Sequence, residues 1–229
     1  MDDAPVPAPS LLLLDVNETL SDMAPVGERF AALGLPEHLA SPWFAGILRD
    51  GMALTVTGDN PAFADLARAS FHAVVHGRPD APADLDAAAS EVLGTFMRLP
   101  LHPDVVPGLR ALAGRGIRLA TLSNGSAAVA EGLLERAGLD DVVERVLSVA
   151  DAPRWKPDAS AYRYALDTCG VEGGEAMLVA VHPWDTHGAA SAGLRSAYVA
   201  RTGAPYPPTM RAPELTVASF TDLAARLTR

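Results

Sequence analysis

The chain has 229 residues, of which 49% are hydrophobic and 20% charged, and its formal net charge is −10. This length suits one large domain or a core with a smaller insert, and the composition excludes general disorder. An acidic chain without a basic cluster disfavours nucleic acid as a partner. Without an apolar run of about 18 residues, no membrane span is predicted.

Two features of the sequence bear on location and redox chemistry. The first residues, Met1-Asp-Asp-Ala-Pro, are acidic where a secretory signal needs basic residues, so we expect a cytoplasmic protein. Cys169 is the single cysteine, which excludes a disulfide framework and a thiolate metal cluster.

Residues 1–9, rich in proline and alanine, are expected to form a loose tail.

Four consecutive leucines, Leu11–Leu14, predict a short strand that is buried on both faces. The run ends at Asp15, and a carboxylate beside a buried strand is costly unless it is paired or used. Ligands of open α/β sheets bind at this end of the strands, which makes Asp15 a candidate site residue. The simpler alternative is that Asp15 opens a turn and Thr19 caps the segment that follows.

Residues 24–100 show helical spacing of apolar residues and no strand signal. The predicted helices cover residues 25–35, a second segment that begins at Ser41-Pro42 with Ser41 as its cap, a third from Asn60-Pro61, and residues 84–99. We therefore predict a helical cap at 24–100, inserted into a core formed by residues 10–23 and 101–229.

From residue 101 onward, strands alternate with helices. Predicted strands cover 116–122, 146–149, 177–181 and 196–200, and predicted helices cover 107–113, 127–137, 159–169, 185–192 and 220–227, with a proline-rich loop at 205–213. Strands separated by helices indicate a parallel sheet with right-handed crossovers. The predicted fold class is α/β.

Four predicted strands are followed by short polar clusters. These clusters are Asp15 with Thr19, Ser123 with Asn124, Lys156, and His182 with Asp185. Each residue alone also fits a cap, a turn or a solvated loop. Because the carboxyl ends of parallel strands share one edge of the sheet, we expect the clusters to converge there as an active site.

The residue types at this edge suit covalent catalysis. Asp15 would be the nucleophile, and Lys156 would keep it ionised and oriented. Thr19, Ser123 and Asn124 would position the substrate and stabilise negative charge as it develops.

The motifs resemble those of the haloacid dehalogenase superfamily, most closely its L-2-haloacid dehalogenase (type II) branch. The matching segments are Asp15-Val-Asn-Glu-Thr19, Leu122-Ser-Asn-Gly125, Lys156-Pro-Asp158 with Tyr162, and Trp184-Asp-Thr-His-Gly188. The resemblance implies a Rossmann-like core, a mobile helical cap that closes over Asp15, and a homodimer. It also places Val16 and Asn17, which follow the nucleophile, among the substrate-binding residues.

Asn17 departs from the pattern of the superfamily's phosphatases. These enzymes place a second aspartate two residues after the nucleophile, as the acid for a departing alkoxide. Asn17 cannot supply that proton, and a halide leaving group does not need it. We therefore expect carbon–halogen cleavage, with neither magnesium nor another cofactor.

Two departures from the dehalogenases concern the leaving group. Family dehalogenases carry an arginine just after a cap tryptophan, whereas Trp43 is followed by Phe44, with Arg49 as the nearest substitute. His182 replaces an asparagine that precedes the last motif. The spacing of His182 and Asp185 is similar to that in the cis-epoxysuccinate hydrolases of the superfamily, where a histidine can serve a leaving alkoxide or the second-step water.

The predicted reaction is two-step hydrolysis of a small 2-haloacid. Asp15 displaces the halide with inversion, and water then cleaves the aspartyl ester, positioned or deprotonated by Asp185 with His182. Trp43, Phe44 and Tyr162 either wall a small pocket or belong to the plain core. Three alternatives stay open: hydrolysis of a small epoxy acid, a phosphatase or another carbon-centred transfer, and a binding module without activity.

Overall fold

The structure of the protein, a computed structural model, describes residues 6–228. Its centre is a six-stranded parallel sheet with the strand order β4-β3-β2-β5-β6-β7. The strands are β2 (Leu11–Leu14), β3 (Arg118–Ser123), β4 (Arg145–Ser148), β5 (Ala176–Ala180), β6 (Arg195–Val199) and β7 (Leu215–Val217). A second, two-stranded sheet pairs β1 (Val6–Pro7) with β8 (Leu227–Thr228).

This strand order is that of the Rossmann fold and confirms the predicted fold class. The six-stranded sheet begins in chain order at its central strand β2, builds outward through β3 and β4, and returns to the other side of β2 with β5. Leu14 pairs with Thr121 on one side and with Val179 on the other. The order therefore reverses between β2 and β5, and ligands bind outside the carboxyl ends at such a switch point.

Strand β2 contributes to the hydrophobic core on both sides of the sheet. Leu11 and Leu13 belong to one apolar cluster and Leu12 and Leu14 to another, and all four side chains are inaccessible to solvent. Successive side chains of a strand point to opposite faces, so an unbroken apolar run is what a strand covered on both faces requires.

Helices cover both faces of the sheet and fill the segment between β2 and β3. They are α1 (Ala24–Ala32), α2 (Ala40–Thr57), α3 (Phe63–Val75), α4 (Leu85–Phe96), α5 (Val105–Ala113), α6 (Ala127–Arg136), α7 (Ala159–Cys169), α8 (Pro183–Ser191) and α9 (Phe220–Arg226). Among residues 6–228, none of the helices combines the length and the apolar character needed to cross a bilayer.

Helices α1 to α4 pack around their own aromatic cluster. The rings of Phe30, Trp43, Phe71 and Phe96 are buried, with neighbouring ring centroids 5.6 to 6.2 Å apart. An isolated antiparallel bridge joins Ser21 to Leu101, on either side of the helical segment. We propose that residues 24–100 form the cap and that this bridge marks its base.

Some predicted boundaries were wrong. Ser41 does not cap α2, because a 3-10 helix at Glu37–Leu39 continues directly into α2 at Ala40. Strand β7 follows the proline-rich loop and was not predicted. Residues 1–5 of the predicted tail lie outside the described residues, whereas Val6–Pro7 form β1 and are paired.

The cap meets the core through the loop that precedes α7. The ring of Trp155 lies against Gly51 of α2, and its indole nitrogen donates to the carbonyl of Pro61 at 3.0 Å. The side-chain amide of Asn60 donates to the carbonyls of Val149 and Ala152 at 3.0 and 2.9 Å. These contacts tie α2 and the start of α3 to the carboxyl end of β4.

We expect Gly51→Ala to lower the free energy of unfolding by about 1–3 kcal/mol, the usual cost of overpacking. A Cβ atom at Gly51 would lie 2.5 Å from Cζ3 of Trp155, so the ring would have to move. Urea denaturation monitored by circular dichroism measures the change.

Gly94→Ala is the matched control, because Gly94 also lies in a cap helix. Its Cβ would meet only Nη2 of Arg98 at 3.7 Å, and alanine favours the helix by up to about 1 kcal/mol. Equal changes in the two variants would contradict tight packing of Trp155 on Gly51.

Candidate active site

Asp15 is the first residue after β2 and lies at the switch point of the sheet. Its amide donates to the carbonyl of Val179 at 3.1 Å, which continues the ladder between β2 and β5 by one residue. The chain then turns tightly, because the amides of Leu20 and Ser21 both donate to the carbonyl of Val16. The side chain of Asp15 is only 5% exposed. The sheet therefore fixes the carboxylate at the base of a nearly closed site.

Lys156 lies between two carboxylates. Its Nζ is 2.9 Å from Oδ1 of Asp15 and 2.6 Å from Oδ2 of Asp185, and its side chain is inaccessible to solvent. Asn124 holds the lysine backbone on both sides: the Lys156 amide donates to Oδ1 of Asn124 at 3.0 Å, and Nδ2 of Asn124 donates to the Lys156 carbonyl at 3.1 Å. Lys156 is also the only lysine in the chain.

The second oxygen of Asp15 receives a hydrogen bond from Thr19. Oγ1 of Thr19 donates to Oδ2 of Asp15 at 2.5 Å and accepts from the amide of Val181 at 3.1 Å. The hydroxyl proton is thereby directed at the carboxylate. Thr19 and Lys156 together fix both oxygens of Asp15.

The opposite charges of Asp15 and Lys156 stabilise each other. Burial alone would raise the pKa of Asp15, but the attraction of Lys156 and His182 and the hydrogen bond from Thr19 outweigh burial and lower the pKa. Burial would lower the pKa of Lys156, but Asp15 and Asp185 outweigh it and raise the pKa. The site therefore holds an ionised Asp15 and a protonated Lys156 at neutral pH.

Asp185, at the start of α8, has both carboxylate oxygens engaged. Oδ2 accepts from Lys156, and Oδ1 accepts from the hydroxyl of Tyr162 at 2.6 Å. Burial raises the pKa of Asp185, with repulsion from Asp15 adding to it and Lys156 opposing it. In this geometry Asp185 anchors Lys156, and the expectation that Asp185 positions or deprotonates the second-step water stays a prediction. Tyr162 is thus a buried partner of Asp185.

His182, the residue before α8, lies on the open side of Asp15. Its ring stacks on Trp184, with centroids 5.1 Å apart, and faces Phe44 of the cap at 6.5 Å. Its Nε2 is 3.2 Å from the carbonyl oxygen of Asn17 and 3.7 Å from Oδ2 of Asp15. Both are acceptors, so this hydrogen-bond network assigns a proton to Nε2.

Three predicted binding residues line the turn after β2 and the loop after β3. Oγ of Ser123 accepts from the amide of Gly125 at 2.9 Å, which leaves its own proton free to donate. Nδ2 of Asn17 points towards Gly125, 3.5 Å from the position of a Cβ there. The side chain of Val16 does not reach the site, because it is buried in the same apolar cluster as Leu12 and Leu14.

The structure does not bring Arg49 to the site. Its side chain is 72% exposed and pairs with the adjacent Asp50 at 2.7 Å, which corrects the expectation that it replaces the missing arginine. Trp43 also lies outside the site: its indole nitrogen donates to the carbonyl of Ala67 at 2.9 Å within the buried cap core. Only Phe44 of this group reaches His182.

Two features of the site were not predicted from the sequence. An apolar cavity of about 300 Å³ lies at the seam of cap and core, and its lining includes Phe63, Phe96, Trp155 and Asn124. Glu18, inside the first motif, places its carboxylate 3.6 Å from Nε2 of His182. No sequence pattern distinguishes Glu18 from an ordinary turn residue, since its φ of +62° is visible only in the fold. Across residues 6–228, no three His, Cys, Asp or Glu side chains are grouped so that they could hold a metal ion.

Comparison with known proteins identifies the class to which this fold and site belong. Residues 10–193 match the family model described as a haloacid dehalogenase-like hydrolase. The chain therefore belongs to the haloacid dehalogenase-like hydrolase family.

Individual relatives cover part of the chain. The haloacetate dehalogenase H-2 of Moraxella sp. (strain B) is 31% identical over 58% of this chain and 59% of its own length. The (S)-2-haloacid dehalogenase of Pseudomonas sp. (strain YL) is 35% identical over 52% of each chain. The chain thus spans a little over half the length of these relatives.

Solved structures match nearly the whole fold. The L-2-haloacid dehalogenase of Xanthobacter autotrophicus, solved with chloropropionic acid covalently bound, superposes with a TM-score of 0.83 at 24% identity, covering 94% of this chain and 97% of that one. Another L-2-haloacid dehalogenase is 28% identical, with a TM-score of 0.79, over 96% of this chain and 100% of that one.

We expect Lys156→Met to lower the free energy of unfolding by about 3–5 kcal/mol at pH 7, because it leaves two buried carboxylates without a cation. Without the lysine, we expect burial to raise the pKa of each carboxyl above its unfolded value. The penalty is therefore present above the unfolded pKa and shrinks as the pH falls and the carboxyls bind protons. Denaturant titrations at pH 7 and pH 5 measure it.

Arg163→Met provides the baseline, since it removes one positive charge from an exposed position. A loss for Lys156→Met that is no larger than this baseline, or that grows towards pH 5, would refute the buried ion network as described.

Proposed function

We propose that the chain hydrolyses the carbon–halogen bond of a small 2-haloacid through a covalent intermediate on Asp15. The observation that carries this proposal is the state of the Asp15 carboxylate. It is kept ionised by Lys156, oriented by Thr19, and placed at the switch point of a Rossmann-type sheet beneath the cap. An ionised carboxylate with both oxygens oriented is a prepared nucleophile.

In the first step, an oxygen of Asp15 forms a bond to the halogen-bearing carbon, and the halide departs with the electron pair of the broken bond. The product of this step is an aspartyl ester with inverted configuration at the carbon. In the second step, water adds to the carboxyl carbon of Asp15, the hydroxy acid leaves, and one proton is released. Asp15 is regenerated as the carboxylate.

Neutral donors would receive the carboxylate of the substrate. The single positive charge of Lys156 already faces the carboxylates of Asp15 and Asp185, so it does not offset the charge of a third anion. The free proton of the Ser123 hydroxyl and the amide nitrogen of Asn17 lie on the same side of the site, next to Gly125. We assign them to orienting a small carboxylic acid.

The homodimer and the cytoplasmic location stay predictions.

His182 supports a second candidate, hydrolysis of a small epoxy acid. Its Nε2 atom lies 3.7 Å from Oδ2 of Asp15, where haloacid chemistry needs no acid. Opening an epoxide breaks a carbon–oxygen bond, and the oxygen keeps the electron pair and takes a proton from His182. The water of the second step returns that proton, so no net proton is released. A phosphatase is less well supported, because Asn17 stands where a proton-donating carboxyl is needed.

We expect metal-independent halide release from L-2-chloropropionate in the presence of EDTA, and a loss of about 1000-fold or more in Asp15→Asn. That factor corresponds to about 4 kcal/mol of activation free energy. The amide keeps the shape of the side chain but is a poor nucleophile, so the variant should fold and lack turnover. Halide release and circular dichroism are measured on the same samples.

Asp167→Asn is the matched control, because it makes the same change at an exposed position of α7. Turnover in Asp15→Asn equal to this control would rule out covalent catalysis on Asp15. Activity that required magnesium would refute both carbon-centred reactions. No halide release, together with opening of cis-epoxysuccinate, would select the second candidate.

A further inference from the structure

The backbone of Glu18 adopts a conformation that residues other than glycine rarely take, with φ of +62°. Neighbouring contacts keep it there: its amide lies 3.3 Å from Oγ of Ser21, and its carbonyl oxygen lies 3.1 Å from Nε2 of His102. Backbone of this kind persists where the surrounding structure holds it, and it is concentrated at functional sites. Here it turns the Glu18 carboxylate towards His182.

The imidazole of His182 consequently lies beside two carboxylates. Nε2 is 3.7 Å from Asp15 and 3.6 Å from Glu18, and the aromatic rings of Trp184 and Phe44 flank the imidazole. Opposite charges at this distance stabilise the protonated ring. The two carboxylates differ in one respect, because Asp15 becomes a neutral ester during the proposed reaction, whereas Glu18 keeps its charge.

We propose that Glu18 is the positioning residue of a leaving-group site, where the charge of its carboxylate, 3.6 Å from Nε2 of His182, orients the imidazole so that Nε2–H faces the charge that departs from the substrate. This inference rests on the function proposed above. Halide and alkoxide leaving groups are both negatively charged, and either accepts a hydrogen bond from such a donor. The pair thus takes the place of the guanidinium that is absent after Trp43.

A cavity of about 300 Å³ adjoins the pair. Both Glu18 and His182 line it, together with Asp22, His102 and Arg201. The Glu18 side chain is 41% exposed there, while burial of the rest raises its pKa, opposed by His182. Asp15 and Glu18 face the imidazole directly, whereas Asp22, His102 and Arg201 line the same cavity without a direct contact to it.

The test is the titration midpoint of His182, read by NMR of the histidine rings and assigned with His182→Asn. In Glu18→Gln we expect the midpoint to fall by about one pH unit, because a facing negative charge is lost. Glu28→Gln, which removes the same charge from an exposed position of α1, should leave the midpoint unchanged. A midpoint in Glu18→Gln equal to that of the native protein would overturn the proposal.

The second arm follows turnover of L-2-chloropropionate and cis-epoxysuccinate against pH. On the substrate that the native protein accepts, Glu18→Gln should move the alkaline limb of kcat/KM to lower pH by the same amount, while Glu28→Gln should not. An unmoved limb would overturn the proposal even if the rate fell. If the native protein accepts neither substrate, the proposed function fails, and the midpoint comparison still decides the role of Glu18.

Discussion

The site depends on a single buried cation. Lys156 lies between two carboxylates and offsets much of their mutual repulsion inside the protein, and burying any one of these three charges alone would be costly. Each carboxylate has a neutral partner for its other oxygen, Thr19 on Asp15 and Tyr162 on Asp185. The network is therefore satisfied on every side, which is the condition under which buried charges hold one geometry. Nucleophilic character at Asp15 follows from this balance.

The sheet and most helices could be predicted because long apolar patterns report them directly. Leu11–Leu14 is an unbroken apolar run, and the structure buries it on both faces. Strands β1, β7 and β8 were missed because two or three residues are too few to show a periodicity. Their pairing is decided by distant parts of the chain: β1 pairs with β8, which is more than 200 residues away.

Convergence of Asp15, Thr19, Lys156 and His182 was predictable from topology, since parallel strands place their carboxyl ends along one edge. The direction of each side chain was not. Five residues separate Phe44 from Arg49, which is about 140° around a helix with 3.6 residues per turn. Phe44 faces His182, so Arg49 points to the surface. The conformation of Glu18 was equally hidden, because it depends on contacts with Ser21 and His102.

Trp155 and Lys156 are neighbours in the chain, yet one is seated in the cap and the other carries the buried charge. Any hinge motion that lifts α2 away from the core must unseat the Trp155 ring from Gly51. Lys156, whose charge faces Asp15, is the next residue in the chain, so a displacement of Trp155 bears on its position. The packing of α2 on the core and the position of the buried charge are thus joined through adjacent residues of one loop, so a substitution that displaces the Trp155 ring also bears on where Lys156 holds its charge.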